Sequence, residues 1–201
     1  MKQLLLSLAL LAGAPAALAQ QAHAIKLNVL SSAIRTGSFF YEHKLSERSS
    51  AQLGLAYTAL KSGDSRLQGV TVTPEYRYYF SGEALDGFYV GPFARLRSFR
   101  MTVPDQRFDN NGMVYRVDRT ASSLTFGGGA VIGRQWLVGN HITLDLFTGL
   151  SYNASTFSGK DGVTKDEFDD ISGSLDNFGV RFSGMFSGTG LRSGFTVGFA
   201  F

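Results

Sequence analysis

Apolar and polar residues alternate one for one along most of this chain, and that period confines it to β-structure. The C-terminal run is the clearest case: Leu191, Phe195, Val197, Phe199 and Phe201 fall on one face, interrupted only by Ser193. Arg192, Gly194, Thr196, Gly198 and Ala200 fall on the other. A strand points successive side chains to opposite faces, so a period of two sorts these residues cleanly, whereas a helix would scatter them.

The same split recurs upstream. Over 141–153, Ile142, Leu144, Leu146, Leu150 and Tyr152 oppose Thr143, Asp145, Gly149, Ser151 and Asn153. Over 122–136, Leu124, Phe126, Ala130, Ile132 and Trp136 oppose Ser123, Thr125, Gly127, Gly129 and Gln135. Over 87–101, Phe88, Val90, Pro92, Ala94 and Leu96 oppose Tyr89, Gly91, Arg95 and Arg97. Over 69–80, Val70, Val72, Pro74, Tyr76, Tyr78 and Phe80 oppose Thr71, Thr73, Glu75 and Arg77. Shorter runs at Ile25–Ser32, Ser38–Leu45 and Ala51–Leu60 bring the total to eight. Phe178–Phe186 could form a further strand, but it is assigned to a long loop because a ninth strand would break the even count of a bacterial barrel.

Residues 1–19 read as a secretory signal peptide. A positive start at Lys2 precedes an apolar run from Leu4 to Ala12 and a small-x-small cleavage pattern at Ala17-Leu18-Ala19. Residues 20–201, about 180 in all, fit one domain. The sequence has no cysteine, so neither disulfides nor thiolate chemistry is available, and no lipoprotein anchor can form at the cleavage site. The net charge is +3 and falls to +2 with the loss of Lys2, too slight a balance to argue for nucleic acid. With 24 Gly, 17 Phe and 8 Tyr against 4 Pro, the composition favours strands joined by tight turns.

Beyond the leader no stretch approaches the roughly 18–20 consecutive apolar residues of a spanning helix. If the chain enters lipid, it must therefore do so as a closed barrel. Alternation alone also fits a soluble lipocalin-like barrel or a sandwich, and the location of the charges discriminates between them. Lys26, Glu42, Lys44, Glu75, Arg77, Arg95, Arg97 and Asp145 all lie on the polar faces, while the central stretches of the apolar faces are nearly free of charge. Arg100 and Arg134 share the apolar parity but lie near strand ends, where a long side chain can reach the headgroups. Phe80, Phe88, Trp136, Tyr152 and Phe201 gather near strand ends, as interfacial girdles do. Connections alternate in length as well: Ser46–Ser50, Ser81–Gly87 and Leu137–Asn140 are short, whereas Lys61–Gln68, Thr102–Arg119 and Ser155–Gly190 are long and polar. Only the short connection at Ile34–Gly37 departs from this pattern. The fold expected is an all-β, eight-stranded, antiparallel up-and-down transmembrane barrel in the cell outer membrane, with both termini periplasmic.

Phe195, Val197, Phe199 and the terminal Phe201 resemble the C-terminal assembly signal of bacterial outer-membrane barrels, which implies recognition by the barrel-assembly machinery during insertion. The segments Ala24-Ile-Lys-Leu-Asn-Val-Leu30, Pro74-Glu-Tyr-Arg-Tyr-Tyr-Phe80 and Gly87-Phe-Tyr-Val-Gly-Pro-Phe-Ala-Arg95 resemble an uncharacterised family of small outer-membrane barrels common in Bacteroidota. More loosely, the architecture is similar to OmpX-like and OmpW-like proteins. The resemblance implies fold and location and carries no known activity.

The interior charges are the first candidates for chemistry. Three acids (Glu42, Glu75, Asp145) face five bases (Lys26, Lys44, Arg77, Arg95, Arg97) in a lumen only wide enough for side chains to fill. Charges confined there must pair, because an isolated buried ion costs several kcal/mol. A salt-bridged plug is therefore favoured over a narrow anion-attracting pore. His23, His43 and His141 lie on separate segments with no sequence spacing of a zinc site. His141 and Thr143 have the spacing of the His-x-Ser arrangement of outer-membrane lipid A deacylases, but Thr replaces Ser and the rim is the wrong one. Gly127-Gly128-Gly129 has no following Lys-Ser/Thr and reads as a closely packed strand, not a phosphate loop. Asp161, Asp166, Glu167, Asp169, Asp170 and Asp176 lack EF-hand spacing and read as a solvated loop, with divalent-cation binding as the alternative.

No cofactor, metal or nucleic-acid partner is expected. The expected partners are outer-membrane lipid and lipopolysaccharide, around a monomer. The function expected is non-enzymatic, structural or surface-binding through long loops. Small-solute transport of the OmpW-like kind is the second reading, and a lipid-modifying enzyme the third.

Overall fold

The computed structural model describes residues 21–33, 35–62, 64–108, 113–159 and 188–201. The proposed leader, the Phe178–Phe186 segment and the acidic cluster from Asp161 to Asp176 lie outside these residues.

Eight antiparallel strands close a ring in chain order: β1 (His23–Asn28), β2 (Thr36–Ser46), β3 (Ser49–Ser62), β4 (Ser65–Glu83), β5 (Asp86–Phe108), β6 (Val114–Val138), β7 (Ile142–Gly159) and β8 (Gly188–Ala200). The ring closes where β1 pairs with β8, from Ala24 opposite Ala200 to Asn28 opposite Thr196. Backbone bonds between His23 and Phe201, at 3.0 and 2.9 Å, extend that seam to the last residue.

Two parts of the sequence reading are corrected. The first run was expected to stay extended to Ser32, but it turns helical after Asn28, forming α1 (Val29–Ala33). Asn28 is the cause: its Oδ1 accepts the N–H groups of Leu30 at 3.1 Å and Ser31 at 3.4 Å, while Ser31 Oγ donates to the Asn28 carbonyl at 2.9 Å. These bonds satisfy donors that a helix start leaves orphaned. The helix packs between β8 and β2, where the upper half of β1 would have run.

The second correction concerns the connections. Lys61–Gln68 and Thr102–Arg119 were expected to be loops, yet β3 and β4 stay paired to Ser62 opposite Ser65. Likewise β5 and β6 stay paired to Phe108 opposite Val114. These polar segments are hairpins prolonged past the apolar belt, polar because of where they sit and extended all the same. Strand also covers 155–159 and 188–190, which the sequence reading places within the third loop. The opposite end has tight turns, including Ala84-Leu85 and Gly139-Asn140-His141.

The faces sort as the alternation predicts, with polarity inverted relative to a soluble barrel. Leu27, Tyr57, Val70, Leu96, Phe126, Ile132, Leu146, Leu150, Phe199 and Phe201 are exposed on the outside. Lys26, Glu42, Glu75, Arg77, Gln135 and Asp145 are buried inside. On the outer face near the tight turns, Phe80 stacks on Phe88 with centroids 6.2 Å apart, and the Arg134 guanidinium lies 4.8 Å from the Phe88 ring and 5.6 Å from Trp136.

Lumen width is set partly by glycine. A Cβ on Gly69 would lie 2.3 Å from the Phe99 ring, so the absent side chain makes room for Phe99 in an interior cluster with Leu67, Met101 and Ala121. Within the triple-glycine run, a Cβ on Gly129 would meet the Leu150 carbonyl at 1.9 Å, in keeping with a closely packed strand.

Candidate functional site

Odd or even parity places a side chain in the lumen, and the register between strands then decides which side chains meet. Five of the eight predicted lumenal charges converge on one buried network. Lys26 from β1 reaches Glu42 from β2 and approaches Asp145 from β7 at 3.3 Å. Arg77 from β4 binds Glu75 through Nε at 2.6 Å and Asp145 through Nη1 at 2.9 Å, and lies 3.5 Å from Glu42. All five side chains are fully or almost fully buried.

Five further residues complete the network, and none of them stood among the predicted charges. Arg192 from β8 binds Glu75 and lies over the rings of Phe93 and Phe147, at 4.4 and 5.0 Å. Gln135 Oε1 accepts from Lys26 Nζ at 3.0 Å, Arg77 Nη1 at 2.9 Å and Tyr79 OH at 3.1 Å. The Tyr79 hydroxyl also donates to Glu42 at 2.8 Å, that of Tyr89 donates to Asp145 at 2.8 Å, and Ser50 Oγ donates to Glu42. Arg192, Gln135 and Tyr89 all sit on polar faces of the alternation, which is the signal that could have found them.

The other three predicted residues lie elsewhere. Lys44 is one interior position nearer the tight-turn rim than Glu42 and pairs there with the exposed Glu83 at 3.6 Å. Arg95 faces the lumen nearer the long hairpins, donating to Thr73 Oγ1 at 3.3 Å and lying 5.1 Å from the Phe93 ring. Arg97 lies one interior position further toward those hairpins and is buried.

Charge balances within the core of the network. Lys26, Arg77 and Arg192 face Glu42, Glu75 and Asp145. Each ion is compensated, and several donors converge on each carboxylate, the condition under which buried ions are tolerated. The three hydroxyls are held as donors to carboxylates. Toward the tight-turn end the barrel floor is apolar: Leu85, at 1% exposure, packs with Ala24 and Ala200. Leu85 adopts a φ of 78°, a conformation costly for a bulky side chain, and its side chain is buried at this end.

Folding also brings together histidines that are far apart in sequence. Strands β1 and β2 set His23 opposite His43, with Nδ1 atoms 3.2 Å apart, and the Tyr41 hydroxyl lies 2.7 Å from His23 Nδ1. His23 also stacks on Phe201, centroids 5.5 Å apart. His141 stands apart from this pair, stacked on Phe199 at 5.4 Å.

A family described as "Protein of unknown function (DUF3575)" matches residues 4–161. Among curated proteins, none matches the chain. Among solved structures, the chain is similar to the N-terminal β-barrel domain of Pseudomonas aeruginosa OprF, at 12% identity and a TM-score of 0.36, covering 90% of this chain and 98% of that one.

Proposed function

We propose that this chain, which belongs to the DUF3575 family of proteins of unknown function, is a non-enzymatic barrel of the bacterial outer membrane. In this reading it spans the lipid with a closed lumen and offers its prolonged hairpins to the exterior as a structural or surface-binding element. One observation carries the proposal: the outward face is apolar from Leu27 to Phe201, while the inward face holds a balanced network of buried ions. In water that outer face would be a large exposed apolar patch of the kind monomeric soluble proteins avoid. In hydrocarbon it is the ordinary exterior of a membrane barrel.

The same network favours occlusion. Each lumenal carboxylate bridges strands on different walls, and Leu85 is buried at the tight-turn end, an arrangement that supports a closed lumen. The outward positions of Val197, Phe199 and Phe201 suit an assembly signal read during insertion.

Cell fractionation with gel mobility tests this reading. The protein should partition with the outer membrane and migrate faster unboiled than boiled, and deletion of Phe201 should lower the inserted amount several-fold. Recovery as a detergent-free soluble species would overturn the proposal.

A second reading, small-solute transport of the OmpW-like kind, is favoured by one feature. Strand β1 pairs with β8 only up to Thr196, and above it the wall between β8 and β2 is completed by the five-residue α1. Val29 and Leu30 of that helix are exposed on the outside. Displacement of α1 would open an apolar lateral exit. Solute uptake that depends on α1 would favour this reading over the first.

A further inference from the structure

A cleft of about 530 Å³ lies on the outer wall, away from the lumenal network, where β3, β4, β5 and β6 rise beyond the apolar belt. Its place follows from register. Residues directly opposite one another on neighbouring strands share a face. Val70, Ser98 and Leu124 form one such row, and Val70 and Leu124 are exposed on the apolar exterior. One step outward comes the row Gln68, Arg100 and Ser122. The next holds Lys61, Arg66 and Thr102. Each two-residue step advances roughly 7 Å along the strand, or about 5 Å along the membrane normal for strands tilted by about 35–45°, so these cations stand about 5–10 Å beyond the last apolar row, the depth of lipid headgroups.

The distribution of charge is uneven in a way that points to a ligand. Lys61, Arg66 and Arg100 occupy the two rows nearest the apolar belt, whereas the carboxylates lining the cleft, Asp64 and Asp118, lie farther out. Around the barrel on β6 and β7, Ser122, Thr156 and Ser158 hold outward positions at the same end and are uncharged. Among the described residues of β3 to β7, the outward cations next to the apolar belt at this end are thus gathered on β3, β4 and β5. Gln68 and Thr102 add neutral hydrogen-bonding groups between them.

We propose that this cleft binds the phosphate groups of an outer-leaflet glycolipid, whose acyl chains run down the apolar wall beneath it along Val70, Leu96 and Leu124. This deepens the reading given above and rests on it, since lipid reaches the wall only if the barrel is embedded. Two guanidiniums and an ammonium suit phosphate oxygens, the guanidinium by paired N–H donors and the ammonium as a point charge. The level of the rows places the charges where a phosphate would stand while its chains remain in hydrocarbon.

Native mass spectrometry of the purified barrel, offered lipid A in bisphosphorylated and dephosphorylated forms, tests the assignment. Wild type should retain the bisphosphorylated form far better, and the triple variant Lys61→Gln, Arg66→Gln, Arg100→Gln should lose about a hundred-fold in retention. Arg35→Gln, which removes an exposed cation outside the cleft, should change nothing. Inorganic phosphate should fail to displace the lipid. Displacement by it would mean that the cleft takes a soluble anion, and equal retention by wild type and triple variant would show that it binds no phosphate; either result overturns the proposal. Outer-membrane fractionation of the same proteins separates the two levels. A barrel that is embedded but indifferent to phosphate refutes the cleft alone, whereas a soluble one refutes the membrane reading itself.

Discussion

Arg192 on β8 and Glu75 on β4 form an ion pair between strands that are four apart in a ring of eight, and so face each other across the full width of the lumen. Glu75 is held from its other side by Arg77 on its own strand, so one carboxylate joins opposite walls. Removing one partner of a buried pair typically costs about 3–5 kcal/mol, because the other ion is left uncompensated. Arg192→Met and Glu75→Gln should therefore each lower the urea midpoint of the barrel in vesicles, and the double variant should lose less than their sum. The fluorescence of Trp136, the one tryptophan in the sequence, gives the readout from the outer wall.

The lipid-facing reading of the outer wall makes a depth-dependent prediction. Leu146→Arg, in the middle of the outward apolar run of β7 from Ile142 to Tyr152, should cost about 2–4 kcal/mol in folding into vesicles. Ser158→Arg, near the outer end of the same strand, should cost about 0–1 kcal/mol. Equal costs at the two positions, measured by the same unfolding assay, would contradict an embedded β7.

Gly69 is smaller than its neighbours because the Phe99 ring lies where its Cβ would be. Gly69→Val should destabilise by about 1–3 kcal/mol through overpacking. Adding Phe99→Leu should return part of that loss, and a denaturant-unfolding cycle over the four proteins measures how much.

Loss of the Asn28 cap should loosen α1 without unfolding the barrel. Asn28→Ala is expected to cost about 1 kcal/mol and to speed amide exchange at Leu30 and Ser31 specifically. Exchange in the β4–β5 hairpin should be unchanged.

Much of this architecture could be read from the alternation of residues. Period two gave the face of almost every strand residue, so the lumenal placement of Lys26, Glu42, Glu75, Arg77 and Asp145 was legible. Their partners were not, because parity gives the face of a residue but not its depth, and cross-barrel pairing depends on register between distant strands. Lys44 shares the face of Glu42, yet lies at the rim with Glu83 for that reason. Arg192 has the right parity, but only closure of β8 on β1 brings it opposite β4. Gln135 carries no charge to mark it as a hub. The hairpins past Lys61 and Thr102 read as loops in the sequence because polarity outside an apolar belt looks like the polarity of a turn. The end of β1 carries a signal that alternation masks: Asn28 is a residue type favoured at helix starts, set within a run whose apolar residues keep a period of two.

Planar-bilayer conductance of the purified barrel, with folding verified by its faster unboiled mobility, tests the proposed occlusion of the lumen most directly. A lumen filled by Lys26, Glu42, Glu75, Arg77, Asp145 and Arg192 predicts a quiet membrane with no steady open level. A reproducible, large and long-lived open channel from the wild-type protein would contradict it.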